Sequence, residues 1–350
     1  MNNYNFDALK FAVEGISGGA NTVIMDNADL PSFMVPVYKR TNAQLFTGGS
    51  EQTHPAFIVD TAEYNAFYFS QFINCVVDGR AYSWPLVDPA ASLNYDSAHN
   101  YCNKKGAGWH LASIPEWACI NHLIRKSGFE PHGNTNFGKA YQHDHEAGAV
   151  TYTYMESEQK KNGRTATGSG PATWRHDGTF AGIADWVGDV WKRMSGARVV
   201  DGEIQIFVGN LAAKQTSAAA GSSFWKAVLE NGSLVDPGTA DTLKYTKAFK
   251  IAKETGEKGA TSTPNFSVIT NDEGVTAIPE ILLALNLAPV AADKEKYKGG
   301  FWINNEGERL PVVGASWLDA SGAGSSALSF YNPRSSVSTR IGFYSAFMEL

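Results

Sequence analysis

The 350-residue sequence lacks the features of a membrane protein or a nucleic-acid-binding protein. No apolar run approaches the length of a membrane span, so we expect no membrane insertion. A formal net charge of -6 argues against nucleic acid as a partner, because phosphate contacts need a concentrated basic surface. The first residues, MNNYNFDALKF, have neither a basic segment nor an apolar core, so we predict no Sec signal peptide.

Cysteine is also scarce. The only cysteines are Cys75, Cys102 and Cys119, all in the first third of the chain. Their odd number and wide spacing exclude a zinc knuckle and argue against a disulfide framework. We interpret them as buried apolar side chains.

A further absence concerns the end of the chain: no Lys, Glu, Gln or Met occurs between Arg309 and Met348. The stretch is rich in Ser, Gly and Ala, as a linker would be, but it also carries Trp317, Leu328 and Phe330. We therefore expect this block to be folded, with an unusually restricted set of polar residues.

Local patterns predict short strands and two main helices. Residues 33–37 alternate as in a half-buried strand, and Asp78-Gly79 is typical of a tight hairpin turn. A first helix is predicted from Asp96 or Ser97 to Gly106. A second runs from the capping box Ser113-Ile114-Pro115-Glu116 to Gly128, and IPEILLALNLAP predicts a short third helix. This pattern indicates an α+β fold with small sheets, in which Trp117 and Trp186 are expected to be core residues.

Three motifs in order resemble the formylglycine-generating-enzyme branch of the C-type lectin fold. GWHLASIPEWACINHL resembles its helix signature, GIADWVGDVWKR a later element, and RIGFYSAF its closing strand. The resemblance covers about residues 55–347 and implies small antiparallel sheets, two main helices and long ordered loops. It divides the chain into an N-terminal segment 1–50, for assembly or attachment, and a C-type lectin-like domain 51–350 with an insert at about 197–300.

The closing block, residues 314–347, resembles the variable region of proteins that retroelements diversify in phages and bacteria, through GASW, AG, NPRS and IGF. In that family selected Asn codons are randomised at adenines, which cannot produce Lys, Glu, Gln, Met or Trp. The resemblance therefore accounts for the missing residue types. It makes Trp317 a fixed residue that contacts the ligand. The diversified, ligand-binding positions carried over are Ser316, Leu318, Asp319, Gly322, Ser329, Tyr331, Asn332, Ser336, Ser338, Arg340 and Tyr344.

The alternation of apolar and polar residues within this block predicts the same surface, independently of the resemblance to the family. Apolar Leu328, Phe330, Val337, Ile341 and Phe343 alternate with polar residues, which predicts one core face and one outward face. The outward face has the composition of an antibody paratope, although a plain solvated strand face has the same pattern. We expect Ser316, Ser329, Ser338 and Arg340 to face solvent. Binding energy is expected to reside in Tyr331, Tyr344, Arg340, Trp317 and Leu318.

Catalytic alternatives find less support. Formylglycine-generating enzymes bind copper through a cysteine pair late in the domain, and no cysteine follows Cys119 here. His143, His145 and Glu146 offer ligand types for a metal, but without a third ligand of defined spacing they are interpreted as solvated loop residues. We interpret Asp185 and Asp189 in DWVGD as a structural turn and not as a calcium site. We therefore predict no enzyme activity, no metal and no cofactor.

The sequence thus predicts a hypervariable ligand-binding protein, and specifically a phage receptor-binding protein at a tail tip. Its partner would be a host or target surface macromolecule, with a protein expected. Assembly as a homotrimer or with a tail-fibre partner is anticipated, and so is location in the virion. The alternatives are a metal-dependent oxidase of the formylglycine-generating type and a binding protein displayed on a bacterial surface.

Overall fold

A computed structural model describes residues 3–350 of the chain. The α-helices are α1 Asn3–Ser17, α2 Asn42–Leu45, α3 Tyr95–Asn103, α4 Ile114–Ser127 and α5 Glu280–Ala284. Within the described residues, no helix has both the length and the apolar character needed to cross a membrane.

The strands are short and numerous, as the many turn residues predict. Those of the first half are β1 Thr22–Met25, β2 Pro31–Tyr38, β3 Ile58–Val59, β4 Ala62–Glu63, β5 Ala66–Ser70, β6 Cys75–Val77, β7 Arg80–Tyr82, β8 Trp109–Leu111, β9 Lys139–Ala140, β10 His143–Ala147, β11 Thr153–Glu156 and β12 Gln159–Asn162. Those of the second half are β13 Trp191–Arg193, β14 Ala197–Val200, β15 Glu203–Ile206, β16 Lys226–Val228, β17 Leu234–Val235, β18 Lys244–Tyr245, β19 Lys250–Ala252, β20 Ala260–Thr263, β21 Thr270–Asn271, β22 Phe301–Asn304, β23 Glu308–Arg309, β24 Val312–Val313, β25 Leu328–Phe330, β26 Ile341–Phe343 and β27 Ser345–Phe347.

Helix α4 forms where its capping signals predict. Ser113 accepts a hydrogen bond from the backbone N–H of Glu116, whose carboxylate accepts one from the N–H of Ser113. Gly128 ends the helix with φ 73°, a left-handed conformation that glycine adopts without steric cost. Helix α3 starts earlier than predicted, because the side chain of Asn94 caps it by accepting from the N–H of Ser97 at 2.9 Å.

The predicted boundary at residue 50 is wrong. Strand β2 pairs antiparallel with β5 from Met34↔Ser70 to Tyr38↔Ala66, inside a sheet of order β1-β2-β5-β27-β8. The N-terminal strands and the C-terminal strand β27 therefore belong to one sheet. Residues 22–38 are therefore part of the main fold.

The predicted insert at 197–300 contributes most of a second sheet. Strands β14 to β19, together with β21, form it with β23, which comes from the chain after the insert. Ile204, Trp225 and Tyr245 join the same buried cluster as Trp117, so the insert packs on the main core. The fold is mixed α+β, as predicted, with few helices and small sheets.

The third large sheet carries the terminal block, in the order β20-β22-β25-β24-β13-β26. Strand β25 lies between β22 and β24, and β26 lies at the edge, parallel to β13. The terminal block therefore supplies one central strand and one edge strand of this sheet, and the loops around them form the candidate site.

A buried charged pair supports the start of α4. His110 Nε2 lies 2.8 Å from Glu116 Oε1, and its Nδ1 lies 2.9 Å from the carbonyl oxygen of Gly108. Both partners are acceptors, so both ring nitrogens must carry a proton and His110 is an imidazolium. Burial lowers the pKa of His110, but the Glu116 carboxylate and the Gly108 carbonyl together outweigh this effect, and the net pKa lies above the usual value.

This pair predicts a pH dependence of stability. A histidine whose pKa is raised on folding adds stability that is fully present below its unfolded pKa of about 6.5 and is lost as pH rises through the folded pKa. We expect the parent to lose stability relative to a His110→Gln variant as pH rises above about 6.5. Urea unfolding of both proteins across this range measures the difference, and parallel curves would contradict the assignment.

Candidate ligand-binding surface

The outer face of the six-stranded sheet is the centre of the candidate surface. Phe301 and Ile303 pair with Leu328 and Phe330, and all four lie in the core. Since strand residues alternate between faces, Trp302 and its neighbour Ser329 lie on the opposite side. A second apolar cluster covers this side; its members are Trp191, Val312, Ala315, Ala327 and Ile341, with Trp302 and Ala323 packed against them.

The loop between β24 and β25, residues 314–327, borders this face and is called the first loop. Trp317 is 2% exposed, as a fixed framework residue should be, which leaves its side chain little surface for the predicted ligand contact. Its N–H donates to the carbonyl oxygen of Asp189 at 3.0 Å, and its own carbonyl accepts from Phe137. Trp317 thus fixes the first loop to Asp189 and Phe137 through its backbone.

The positions of the first loop that are predicted to be diversified divide into buried and accessible ones. Ser316 is buried, so its predicted solvent exposure is wrong: its N–H and hydroxyl donate to Asp319 Oδ2 at 2.7 and 2.6 Å. Leu318 is 37% exposed, and Asp319 and Gly322 are half-buried. A Cβ added at Gly322 would lie 3.4 Å from the ring of Trp302, an ordinary contact distance, so this position has room for a side chain.

Residues 331–340 form an irregular loop between β25 and β26, called the second loop. The placement of Val337 on the core face is wrong, because its side chain is 59% exposed. The odd-numbered residues are the exposed ones: Tyr331, Pro333, Ser335, Val337 and Thr339. The predicted display residues Asn332, Ser336, Ser338 and Arg340 are half-buried.

Hydrogen bonds to the rest of the chain explain this alternation of exposed and half-buried residues. The carbonyl oxygens of Asn332, Arg334, Ser336, Ser338 and Arg340 all accept hydrogen bonds. The donors are the N–H groups of Leu310, Tyr95, Ser92 and Trp191 and the guanidinium of Arg193. Each even-numbered residue is therefore held against the protein, and the odd-numbered side chains between them are left outward.

Two further predicted display residues are buried. Ser329 lies on the central strand β25 between Trp302 and Val312 and is 4% exposed. Tyr344 is 1% exposed; its ring packs against Phe69, and its hydroxyl donates to the carbonyl oxygen of Ala184. The chain crosses from one sheet to another at Tyr344, so both of its sides are covered. The predicted outward role of Ser329 and Tyr344 is wrong.

Arg334 holds the second loop at its middle. Its guanidinium bonds both carboxylate oxygens of Glu308 at 2.8 and 2.9 Å, Asp96 Oδ1 at 2.8 Å and the carbonyl oxygen of Ala218 at 2.8 Å. Burial raises the pKa of Glu308, but the bonds from Arg334 and Arg198 outweigh it, so the pKa lies below its usual value. The sequence analysis assigned no role to Arg334, although it lies inside the motif NPRS.

A cleft of about 810 Å³ opens beside the first loop. The residues that line it include Ala320, Ser321, Ala323 and Gly324 of the first loop, together with Glu130, His132, His143, Lys294 and Lys298. Ser325 donates its N–H and hydroxyl to the Glu130 carboxylate at 2.7 and 2.8 Å, which fixes the loop at the cleft. Burial raises the pKa of Glu130 to about 7 although these hydrogen bonds oppose the shift.

The residues considered for catalysis or calcium lie elsewhere. Cys102 and Cys119 are buried free thiols whose pKa burial raises, and Cys75 is a half-buried thiol with a pKa raised to about 11, also by burial. Asp185 and Asp189 adopt positive φ in a tight turn, as interpreted from the sequence. Asp189 Oδ1 accepts hydrogen bonds from Asn134 and Thr165 within the protein.

Comparison with known proteins gives similar structures but no similar sequences. No protein-family model matches the sequence, and neither does any curated protein. A solved structure described as Major Tropism Determinant U1 Variant is 11% identical, with a TM-score of 0.32 over 90% of this chain. Treponema denticola variable protein 1 is 10% identical, with a TM-score of 0.34 over 93% of this chain. The chain spans 62% of the first protein and 98% of the second.

Both structural similarities are distant.

Proposed function

We propose that this chain is a hypervariable ligand-binding protein of the C-type lectin fold, formylglycine-generating-enzyme branch, diversified in residues 314–347. The observation that carries the proposal is the construction of the second loop. Its backbone is held at five carbonyl groups, while the side chains of Tyr331, Ser335, Val337 and Thr339 point outward. Such a loop can change its outward side chains while its backbone contacts stay in place.

The binding surface that we propose consists of the accessible members of the predicted set and three added positions. The accessible members are Leu318, Asp319, Gly322, Tyr331, Asn332, Ser336, Ser338 and Arg340. The added positions are Ser335, Val337 and Thr339. Trp302, half-buried on the same sheet face, supplies a fixed aromatic contact beside Gly322. Small residues dominate, so most of the binding energy should come from the few large side chains.

The ligand that we propose is a macromolecule on a host or target surface, with a protein expected, bound by several copies on one phage tail tip. A surface rich in Ser and Gly binds weakly as a single copy, and linked copies raise the effective affinity by 10²–10⁴ without new contacts. A bacterial surface protein would use the same binding face. Neighbouring DNA with a reverse transcriptase and a near-copy of the 3′ end of the gene would support the retroelement origin, and phage structural genes beside it would favour the virion.

The cysteines do not support the alternative function of a metal-dependent oxidase of the formylglycine-generating type. Cys75, Cys102 and Cys119 lie on β6, α3 and α4, and burial raises the pKa of each thiol. Copper binding by this enzyme class needs thiolates, which these raised pKa values disfavour. We therefore propose a binding function without catalysis.

The two exposed apolar side chains of the surface should dominate affinity. Once a ligand is identified by screening candidate host surfaces, we expect Tyr331→Ala to weaken monomer binding about 10- to 100-fold and Leu318→Ala about 10-fold, because both lose buried contact area. Surface plasmon resonance with monomeric protein measures both effects.

Tyr38 provides the matched control, since it is a 58% exposed tyrosine on β2, in a different sheet from the proposed surface. Tyr38→Ala should bind like the parent. Parental affinity in both loop variants, or an equal loss in Tyr38→Ala, would refute the proposed surface.

A further inference from the structure

Three side chains of metal-binding type meet at the wall of the cleft. His132, His143 and Glu146 each place a ligand atom within 4.8 Å of the others. We propose that these three residues bind a divalent transition-metal ion, with zinc as the best match to two imidazoles and one carboxylate.

The fold brings together residues that the sequence separates. His132 lies in the loop after α4, while His143 and Glu146 belong to β10. In a regular strand, residues three apart face opposite sides. The pairing of β10 with β9 shifts register between His143 and Ala147, which places a bulge there. The bulge is the local irregularity that lets His143 and Glu146 reach the same side.

Glu146 is held as a positioned ligand would be. It is buried, and its carboxylate accepts hydrogen bonds from Thr173 Oγ1 at 2.8 Å and Trp174 Nε1 at 3.0 Å. Neighbours of this kind orient and tune metal ligands.

The distances suit tetrahedral coordination. His132 Nδ1 lies 3.0 and 3.1 Å from the two oxygens of Glu146. Two ligand atoms on zinc, each about 2.0–2.1 Å from the ion, are about 3.3 Å apart in a tetrahedron. The rings of His132 and His143 stack with centroids 3.8 Å apart, so rotation of the half-buried His143 ring about its side-chain bonds would turn a nitrogen toward the same ion.

The fourth coordination position would face the cleft, because His132 and His143 both line it. Sites with three protein ligands keep this position for water or an incoming ligand atom. The first loop also lines the cleft, through Ala320 and Ser321. A bound ion would thus add a fixed contact point next to the diversified surface, and its presence does not depend on the proposed binding function.

The histidine pair considered from the sequence, His143 and His145, is wrong as a chelating pair. His145 is exposed and lies outside the cluster, with its ring edge-on to His143 at 6.1 Å. The third ligand that the sequence analysis missed is His132, which lies 11 residues before His143 in the chain. His145 therefore provides a control histidine on the same strand.

The test is metal titration of protein without a polyhistidine tag. We expect one equivalent of Zn²⁺ by isothermal titration calorimetry, and one equivalent of Co²⁺ with the visible absorption of a tetrahedral site. His132→Ala and His143→Ala should each weaken zinc binding at least 10-fold, Thr173→Val should weaken it about 10-fold, and His145→Ala should bind like the parent.

X-ray absorption of the zinc-loaded parent provides a measurement that does not depend on variant folding. Two imidazoles and one carboxylate in the coordination shell would support the site. The absence of saturable binding by the folded parent would overturn the proposal, as would an equal loss of affinity in His145→Ala or a shell without imidazole. Circular dichroism of each variant ensures that lost binding is not lost folding.

Discussion

A Trp186→Ala variant is expected to lose about 3–5 kcal/mol of the free energy of unfolding. Trp186 is 2% exposed at the centre of the main core. Its ring packs against Phe69 with centroids 5.6 Å apart and against Tyr344 at 6.4 Å, and its Nε1–H donates to Asn121 Oδ1 at 3.1 Å. Truncation leaves a cavity and removes the donor to Asn121.

Urea unfolding measures the loss, with Trp186→Phe and Trp302→Ala as controls. Trp186→Phe keeps most of the apolar area and should lose less. Trp302→Ala removes the same side chain from a half-buried site and should also lose less. Trp117→Ala, at another buried tryptophan, should resemble Trp186→Ala. If Trp186→Ala and Trp117→Ala both unfolded like the parent, the assignment of these tryptophans to the core would be wrong.

An Arg334→Ala variant should lose about 2–3 kcal/mol and should also bind ligand more weakly. Removing one partner of a largely buried ion pair leaves the other charge poorly compensated. Here Glu308 keeps Arg198, with Nη1 at 2.9 Å, which moderates the cost. Binding should weaken because the second loop loses its contacts with Asp96 and with the carbonyl of Ala218.

The ion pair between Arg334 and Glu308 also makes the stability of the protein depend on pH in the acid range. The depressed pKa of Glu308 adds stability that is present above its unfolded pKa of about 4.3 and is lost as pH falls through the folded pKa. Arg334→Ala should therefore lose less stability than the parent between pH 6 and 3. Arg334→Lys keeps the charge but not the two-pronged geometry, and we expect an intermediate result. Identical acid unfolding of Arg334→Ala and the parent would contradict the role assigned to Arg334.

Sequence analysis succeeded where structure depends on neighbours in the chain. The capping box of α4, the turn at Asp185–Asp189 and the burial of Trp117 and Trp186 follow from local signals, and the structure confirms them. The mixed α+β class follows from the same short patterns.

Features that distant contacts decide could not be predicted from the sequence. Alternation places Val337 on the core face, but hydrogen bonds from Leu310, Tyr95, Ser92 and Trp191 hold residues 331–340 as a loop in which Val337 is exposed. Tyr344 follows the polar pattern and yet is buried, because the chain changes sheets there. Pairing of β2 with β5, and the approach of His132 to β10, likewise depend on tertiary structure that no short pattern encodes.

The position of the last two strands has a consequence for synthesis of the chain. Strand β26 pairs with β13, and β27 joins β8 to β5, so residues 341–347 complete two of the large sheets. Contacts between residues so far apart in sequence form slowly. During translation, the edges of β13 and β8 that these strands cover stay unpaired until residues 341–347 have been synthesised. If residues 314–347 are diversified as we propose, a version that cannot fold would keep these edges open and be an easy substrate for cellular proteases. Folding itself would then screen each version before any ligand is met.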